Sequence, residues 1–205
     1  EEYWRWDHDD TAVAVYYSDD DIPYGYMVYL INSDIMHIKE MIYLNREAQL
    51  GLWEYIYAHD SMIDEVHGNN YYSEPIAFEL EDSDIKETIR PYAMGRIIDI
   101  EQFFGHYSCC THKPTVCFEF VVTDELLPWN NGSFRVMFEN GKCRITDEVP
   151  QYSMKMTIGT LTTMLMGYKT AEKLYGMNRI SSAPEAVKRL DDTLLHNMPY
   201  ISDYI

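Results

Sequence analysis

The stretch Thr123-Asp-Glu-Leu-Leu-Pro-Trp-Asn-Asn-Gly-Ser-Phe-Arg-Val136 decides how this 205-residue chain is read. Leu126 and Leu127 lead into a Pro128-Trp129 corner, Gly132-Ser133 offers a turn, and an alternating strand follows. Downstream, the runs Phe134–Glu139 and Lys142–Thr146 flank Asn140-Gly141. Asn-Gly between two alternating runs predicts a hairpin, because a type I′ turn needs positive φ at both central residues. With a period of two, Phe134, Val136 and Phe138 share one face while Arg135 and Glu139 point the other way. Upstream, Cys117–Val122 reads as a strand, and Asp99 with Gln102 forms a capping box for a short helix after a strand at Met94–Asp99. Tyr152–Ile158 alternates again, burying Met154, Met156 and Ile158 or the opposite set. Three short helices close the chain. Leu161–Met166 stops at Gly167, Thr170–Tyr175 stops at Gly176, and Ser182 with Glu185 caps a third carrying the stripe Val187, Leu190, Leu194. A strand meander followed by helices on one face is an α+β sandwich, and it occupies residues 93–205.

Residues 1–92 read as a separate, mixed α/β domain. Strands are expected over Thr11–Tyr17, Gly25–Ile31 and Ile35–Leu44, the first two separated by the turn Ser18-Asp-Asp-Asp-Ile-Pro23. Asn45 is placed to cap a helix over 46–59 whose buried face is Leu50, Trp53 and Tyr57. Met62–His67 is either a continuation of that helix or a strand, ended by Gly68-Asn-Asn70. The boundary between the domains is expected near Arg90-Pro91.

Composition narrows the function classes. With 46% hydrophobic residues, 18 tyrosines and 12 methionines, the chain has ample material for a core. The 34 acids against 16 bases give a net charge of -18, which would repel nucleic acid and attract a cationic substrate such as a polyamine or aminosugar. No apolar run reaches the roughly 18 residues needed to cross a bilayer, and no basic segment precedes an apolar one as in a secretory signal. Four cysteines, two of them the neighbours Cys109 and Cys110, suit reduced thiols in a cytoplasmic protein. The chain opens on Glu1 rather than Met, as expected of a piece of a longer protein.

Several groups invite a chemical role. His106, Cys109, Cys110, His112 and Cys117 could be drawn as a zinc cluster, but no C-x-x-C pair is present, and buried thiols beside surface histidines are the expectation. His59, Asp60, Asp64 and His67 converge only if their segment is helical. No metal is therefore expected. Trp129 reads as a packing anchor. Met137, Met154, Met156, Met164, Met166 and Met177 either fill an irregular core or line a lipid pocket. The ten glycines never fall two or three residues apart, so the clustered cradle for a pyrophosphate is absent from the sequence.

The stretch Thr123–Val136, together with Arg96-Ile-Ile-Asp99 and Pro199-Tyr-Ile-Ser-Asp-Tyr-Ile205, resembles the carboxyl-terminal part of the enhanced-intracellular-survival family of GNAT acetyltransferases. The resemblance implies a degenerate, incomplete GNAT-like domain over 1–92, followed by a sterol-carrier-protein-like sandwich over 93–205. It also implies an acetyl-CoA site in an N-terminal GNAT domain outside this chain, so that the chain by itself is inactive. In such a protein the terminal carboxylate, here that of Ile205, serves as general base toward an amine, with Asp203 and Tyr204 near a cationic, aminoglycoside-like or polyamine substrate. Homo-oligomers, hexamers among them, are implied as well. The other readings left open are a non-enzymatic lipid-binding module and a structural scaffold.

Overall fold

A computed structural model describes residues 11–70, 76–80, 85–89, 93–199 and 201. The chain divides into two units, Glu1–Thr88 and Ile89–Ile205. The Arg90-Pro91 boundary lies outside the described residues.

In the first unit β1 (Ala12–Tyr17), β2 (Pro23–Asn32) and β3 (Ile35–Tyr43) form an antiparallel ladder, and β4 (Glu65–Gly68) joins β3 in parallel. The sheet order is β1-β2-β3-β4. The β2–β3 turn is tight because Ser33 and Asp34 both take positive φ, 51° and 63°, a conformation that a short polar side chain tolerates. Met62–His67 thus resolves as a loop and an edge strand.

Helix α1 (Arg46–Tyr57) starts where Asn45 accepts a hydrogen bond from the Ala48 amide at 2.8 Å. Its buried face is not the expected one. Ala48, Gln49, Leu52 and Ile56 are buried, whereas Leu50 and Tyr57 are exposed. Leu52 and Ile56 pack on Met27, Tyr29 and Met36 of the sheet. The spacing 50/53/57 is helical, but so is 48/52/56, and only docking on the sheet chooses between them. Leu50 and Trp53 instead line a shallow cleft with Ile76, Glu79 and Leu80, where α2 (Ile76–Glu79) lies.

In the second unit α3 (Ile100–His106) follows an N-cap in which Asp99 accepts from the Gln102 amide at 2.9 Å. The expected strand at 94–99 is absent; the segment is irregular, with the buried Ile97 amide donating to Thr162 Oγ1 rather than to a strand. The sheet runs β7-β6-β5-β8, from β5 (Val116–Thr123), β6 (Gly132–Glu139), β7 (Lys142–Ile145) and β8 (Tyr152–Thr157). The β6–β7 hairpin turns at Asn140 (φ 50°) and Gly141 (φ 82°), as Asn-Gly demands. Gly132-Ser133 belongs to β6 and is not a turn. Nor is the sheet a simple meander, since β8 returns beside β5 in parallel.

Phe118, Phe120, Phe134, Val136, Phe138, Met154 and Met156 form the inner face of this sheet and belong to one buried cluster with the helices α4 (Ile158–Leu165), α5 (Ala171–Gly176) and α6 (Pro184–Asp191). Met137 and Cys117, register partners on the opposite face, are also buried. The loop after β7 lies against that face, with the Gln151 amide donating to Cys117 O at 3.0 Å and the Thr146 amide to Arg135 O at 3.0 Å.

Two capping expectations change. Gly176 ends α5 without positive φ, and Asn178 takes the left-handed position instead (φ 56°). Ser182 does not cap α6; its hydroxyl donates to Ser153 O, and Pro184 opens the helix with its fixed φ. Among the described residues no helix is long and apolar enough to cross a membrane.

Candidate functional site

The three sequence candidates at the chain end, Asp203, Tyr204 and Ile205, lie outside the described residues. The segment that leads to them is held in place. Thr193 and Leu194 are buried, and the Cys110 amide donates to Thr193 O at 3.0 Å. Gly167, at φ 77°, lies so close to Asn197 that a Cβ there would overlap the Asn197 carbonyl. The lead-in is therefore docked on the end of α4 as far as Asn197, and Met198 and Ile201 beyond it are exposed.

The quoted stretch builds a polar knot rather than an aromatic anchor. Asp124 closes β5 and is 3% exposed. One carboxylate oxygen accepts from the amides of Leu126 (2.9 Å) and Leu127 (3.1 Å) and pairs with the Arg96 guanidinium. The other accepts from Asn130 Nδ2 at 3.0 Å. Asn130, 1% exposed, in turn accepts from the Ile100 amide and donates to Ile98 O. Asn131 accepts from the Asp124 amide at 2.8 Å and donates back to its carbonyl. Burial alone would raise the Asp124 carboxyl, but the bonds from Asn130, the two amides and Arg96 outweigh it and hold the group well below the usual carboxylate range.

Trp129, expected to be buried, is 62% exposed; its indole N–H donates to Ile98 O at 2.8 Å. Proline directs this corner. Pro128 opens a single turn of 3-10 helix whose Asn130 points inward, and the tryptophan is left on the rim. Asp followed by two free amides before a Pro turn is an Asx-turn pattern that could have flagged Asp124. Nothing local could have flagged Arg96, which lies 28 residues away in sequence.

The other candidates separate in space. Cys109 Sγ lies 3.5 Å from Lys142 O and Cys110 Sγ 3.3 Å from Leu194 O, while Cys117 is on the outer face of the sheet. Burial pushes the Cys143 thiol above the usual range and does the same at Cys109 and Cys117. His59 Nδ1 is 2.8 Å from Tyr55 O, and His67 Nε2 contacts Glu65 instead of Asp60 or Asp64. Among the described residues no group of three His, Cys, Asp or Glu side chains converges as a metal site. Of the six methionines singled out, Met137, Met154, Met156 and Met164 are buried, whereas Met166 and Met177 are exposed.

The described helix starts do not suit a coenzyme A pyrophosphate. Asn45 and Thr157 occupy first-turn amides of α1 and α4 with their own side chains, and Pro184 removes a donor from α6. Of α1, α3, α4, α5 and α6, none is entered through a glycine loop.

Comparison with known proteins adds to this geometry. Residues 100–202 match the family model of the sterol carrier protein domain. The chain belongs to that family. Ahead of its sterol carrier protein domain, residues 1–97 match the model of the acetyltransferase (GNAT) domain. Among solved structures, a conserved protein of unknown function from Enterococcus faecalis V583, described as a probable N-acyltransferase, is 26% identical with a TM-score of 0.86. The match covers 95% of this chain and 50% of that one. A GCN5-related N-acetyltransferase from Anabaena variabilis is 21% identical (TM-score 0.73; 94% of this chain, 50% of that one). Eis1 from Mycobacterium abscessus is 19% identical (TM-score 0.68; 86% and 47%). The chain thus spans about half the length of these structural relatives. No curated protein matches the chain by sequence. The architecture is a GNAT-like domain followed by a sterol-carrier-like domain.

Proposed function

We propose that this chain is part of an N-acetyltransferase of the enhanced-intracellular-survival type, which moves an acetyl group from acetyl-CoA to a primary amine of a cationic substrate. The observation that carries the reading is the order of a GNAT-like and a sterol-carrier-like domain, shared over 95% of the chain with the Enterococcus faecalis protein. Because the described helix starts offer no pyrophosphate cradle, acetyl-CoA is assigned to a GNAT domain outside the chain, and the chain alone is expected to be inactive. The net charge of -18 supports a cationic acceptor. A homo-oligomer and a cytoplasmic setting belong to the same reading.

In this proposal the carboxylate of Ile205 accepts the proton of the attacking amine, and Asp203 and Tyr204 hold the substrate. An α-carboxylate is ionised at neutral pH. Desolvation in a closed site would raise its basicity toward a useful range. Support comes from the lead-in segment, which is docked through Asn197 rather than frayed. Extending the protein beyond Ile205, or deleting Ser202–Ile205, should lower kcat by about 10²-fold or more. Acetyl-CoA affinity should stay unchanged. Full turnover in both variants would return the base to the N-terminal domain. Of the non-enzymatic readings, the scaffold is favoured over the lipid carrier, because Met154, Met156 and Met164 are committed to the buried cluster.

A further inference from the structure

The sequence cluster His59, Asp60, Asp64 and His67 does not assemble, but the sheet of the first unit gives His67 a different neighbour. Strands β3 and β4 pair in parallel, in the register Ile35↔Glu65, Met36↔Val66, His37↔His67. Register partners on adjacent strands project from the same face of a sheet. Met36 is buried in the cluster with Leu52 and Ile56 of α1, so His37 stands on the other face, together with Glu65 and His67. The sequence alone does not announce the pair, because its members are 30 positions apart. Both strands are held in place. β3 is bonded to β2 on its other side, with Leu30 opposite His37, and the Asp64 amide donates to Asp34 O at 2.7 Å just ahead of β4.

The two imidazole rings have centroids 5.5 Å apart and planes at 81° to each other. That spacing suits an edge-on ring contact, and it also suits chelation. Two imidazoles on one tetrahedral ion, with metal–nitrogen bonds of about 2.0–2.1 Å, have their centroids about 5 Å apart. Glu65 favours chelation. His67 Nε2 lies 2.7 Å from Glu65 Oε2. An ionised carboxylate only accepts, so Nε2 carries the hydrogen and, in the neutral ring, Nδ1 carries the lone pair. A carboxylate on the outer N–H is the usual partner of a metal-binding histidine. It fixes the tautomer and raises the basicity of the nitrogen that binds.

We propose that His37 and His67 form a two-imidazole site for a divalent zinc ion, with Glu65 as the residue that orients His67. Glu65 engages the other ring nitrogen, so the site has two protein ligands and water completes the coordination. That arrangement agrees with the lack of a converging group of three such side chains among the described residues. Imidazole nitrogen suits zinc, whereas magnesium and calcium take oxygen ligands. The net charge of -18 favours the approach of a dication. Bound zinc would tie the short strand β4 to β3 and stabilise the first unit by mass action. This site does not depend on the acetyl transfer proposed above.

The test titrates the whole chain with Zn²⁺ by calorimetry, in excess Mg²⁺ to occupy the carboxylates of this acidic surface. Zinc should still bind. Glu65→Ala, which removes the outer partner and leaves both ligands, should weaken binding by about tenfold. His37→Gln and His67→Gln should each weaken it further than Glu65→Ala does, and His59→Gln should leave it unchanged. In the NMR spectrum of the parent chain, the ring signals of His37 and His67 should move together as Zn²⁺ is added. Those of His59, His106, His112 and His196 should stay. The NMR measurement needs no variant, so it decides the matter even where a substitution disturbs the sheet. No binding in excess Mg²⁺, binding that both histidine variants retain, or shifts at other histidines in place of these two would overturn the proposal. So would loss of binding in Glu65→Ala with retention in His37→Gln, since Glu65 would then be a ligand and His37 would not.

Discussion

Gly167→Ala and Gly176→Ala should move stability in opposite directions, although the sequence presents both glycines as helix C-caps. At Gly167 the backbone is left-handed (φ 77°), where an L side chain costs roughly 1–2 kcal/mol. The added methyl would also overlap the backbone carbonyl of Asn197, which no rotamer change can relieve. Overpacking of that kind costs about 1–3 kcal/mol, so about 2–5 kcal/mol is expected in all, unless the segment after Leu194 lifts off. At Gly176 the φ is not positive and a Cβ would meet no atom within 4 Å. Ala there gains helix propensity, about 0.5–1 kcal/mol. Urea melts followed by circular dichroism would read both, with the midpoint falling for Gly167→Ala and rising for Gly176→Ala. Limited proteolysis would add a local readout, because cleavage after Leu194 should accelerate only in Gly167→Ala. Equal shifts of the same sign would refute the assignment of the left-handed position to Gly167 alone. Unchanged stability of Gly167→Ala would show that the terminal lead-in is not docked at Asn197, and would weaken the case for the terminal carboxylate.

Leu52→Ala should destabilise the first unit by about 2–3 kcal/mol in a thermal melt, whereas Leu50→Ala should cost under about 1 kcal/mol, because Leu52 is 2% and Leu50 47% exposed. Gly141→Val should lower the melting midpoint of the second unit by several degrees, at about 2–4 kcal/mol. It combines a strained φ of 82° with a Cβ placed 2.6 Å from Thr111 Cγ2. The pH dependence follows from Asp124. Its folded-state carboxyl titrates below its unfolded value, so the unfolded chain binds more protons on the acid side and stability rises with pH there. The contribution should be complete above about pH 4 to 5 and be lost as pH falls further. Urea melts from acid to neutral pH should show a shallower acid limb in Asp124→Asn, and an unchanged limb would remove the knot from the account.

Most strands of both units, and every helix but α2, were legible in the chain, because alternation, Asn-Gly and side-chain caps at Asn45 and Asp99 act within a few residues. The strand expected at 94–99 was not formed, and Met62–His67 stayed open between helix and strand. Local chemistry could not choose among equivalent helical stripes. Leu50/Trp53/Tyr57 and Ala48/Leu52/Ile56 repeat alike, and contact with Met27 and Met36 on the sheet decides for the second. The quoted stretch shows the same division. Its Pro-Trp corner was readable as a corner. That the tryptophan stays on the rim while Asp124 and Asn130 go inside depends on Arg96 and Ile98 arriving from another segment. A carboxylate can be buried only where its bonds are met, and here distant groups meet some of them. The two glycines follow the same logic. Propensity made each a candidate cap, and the carbonyl of Asn197, 30 positions further along the chain, makes Gly167 irreplaceable.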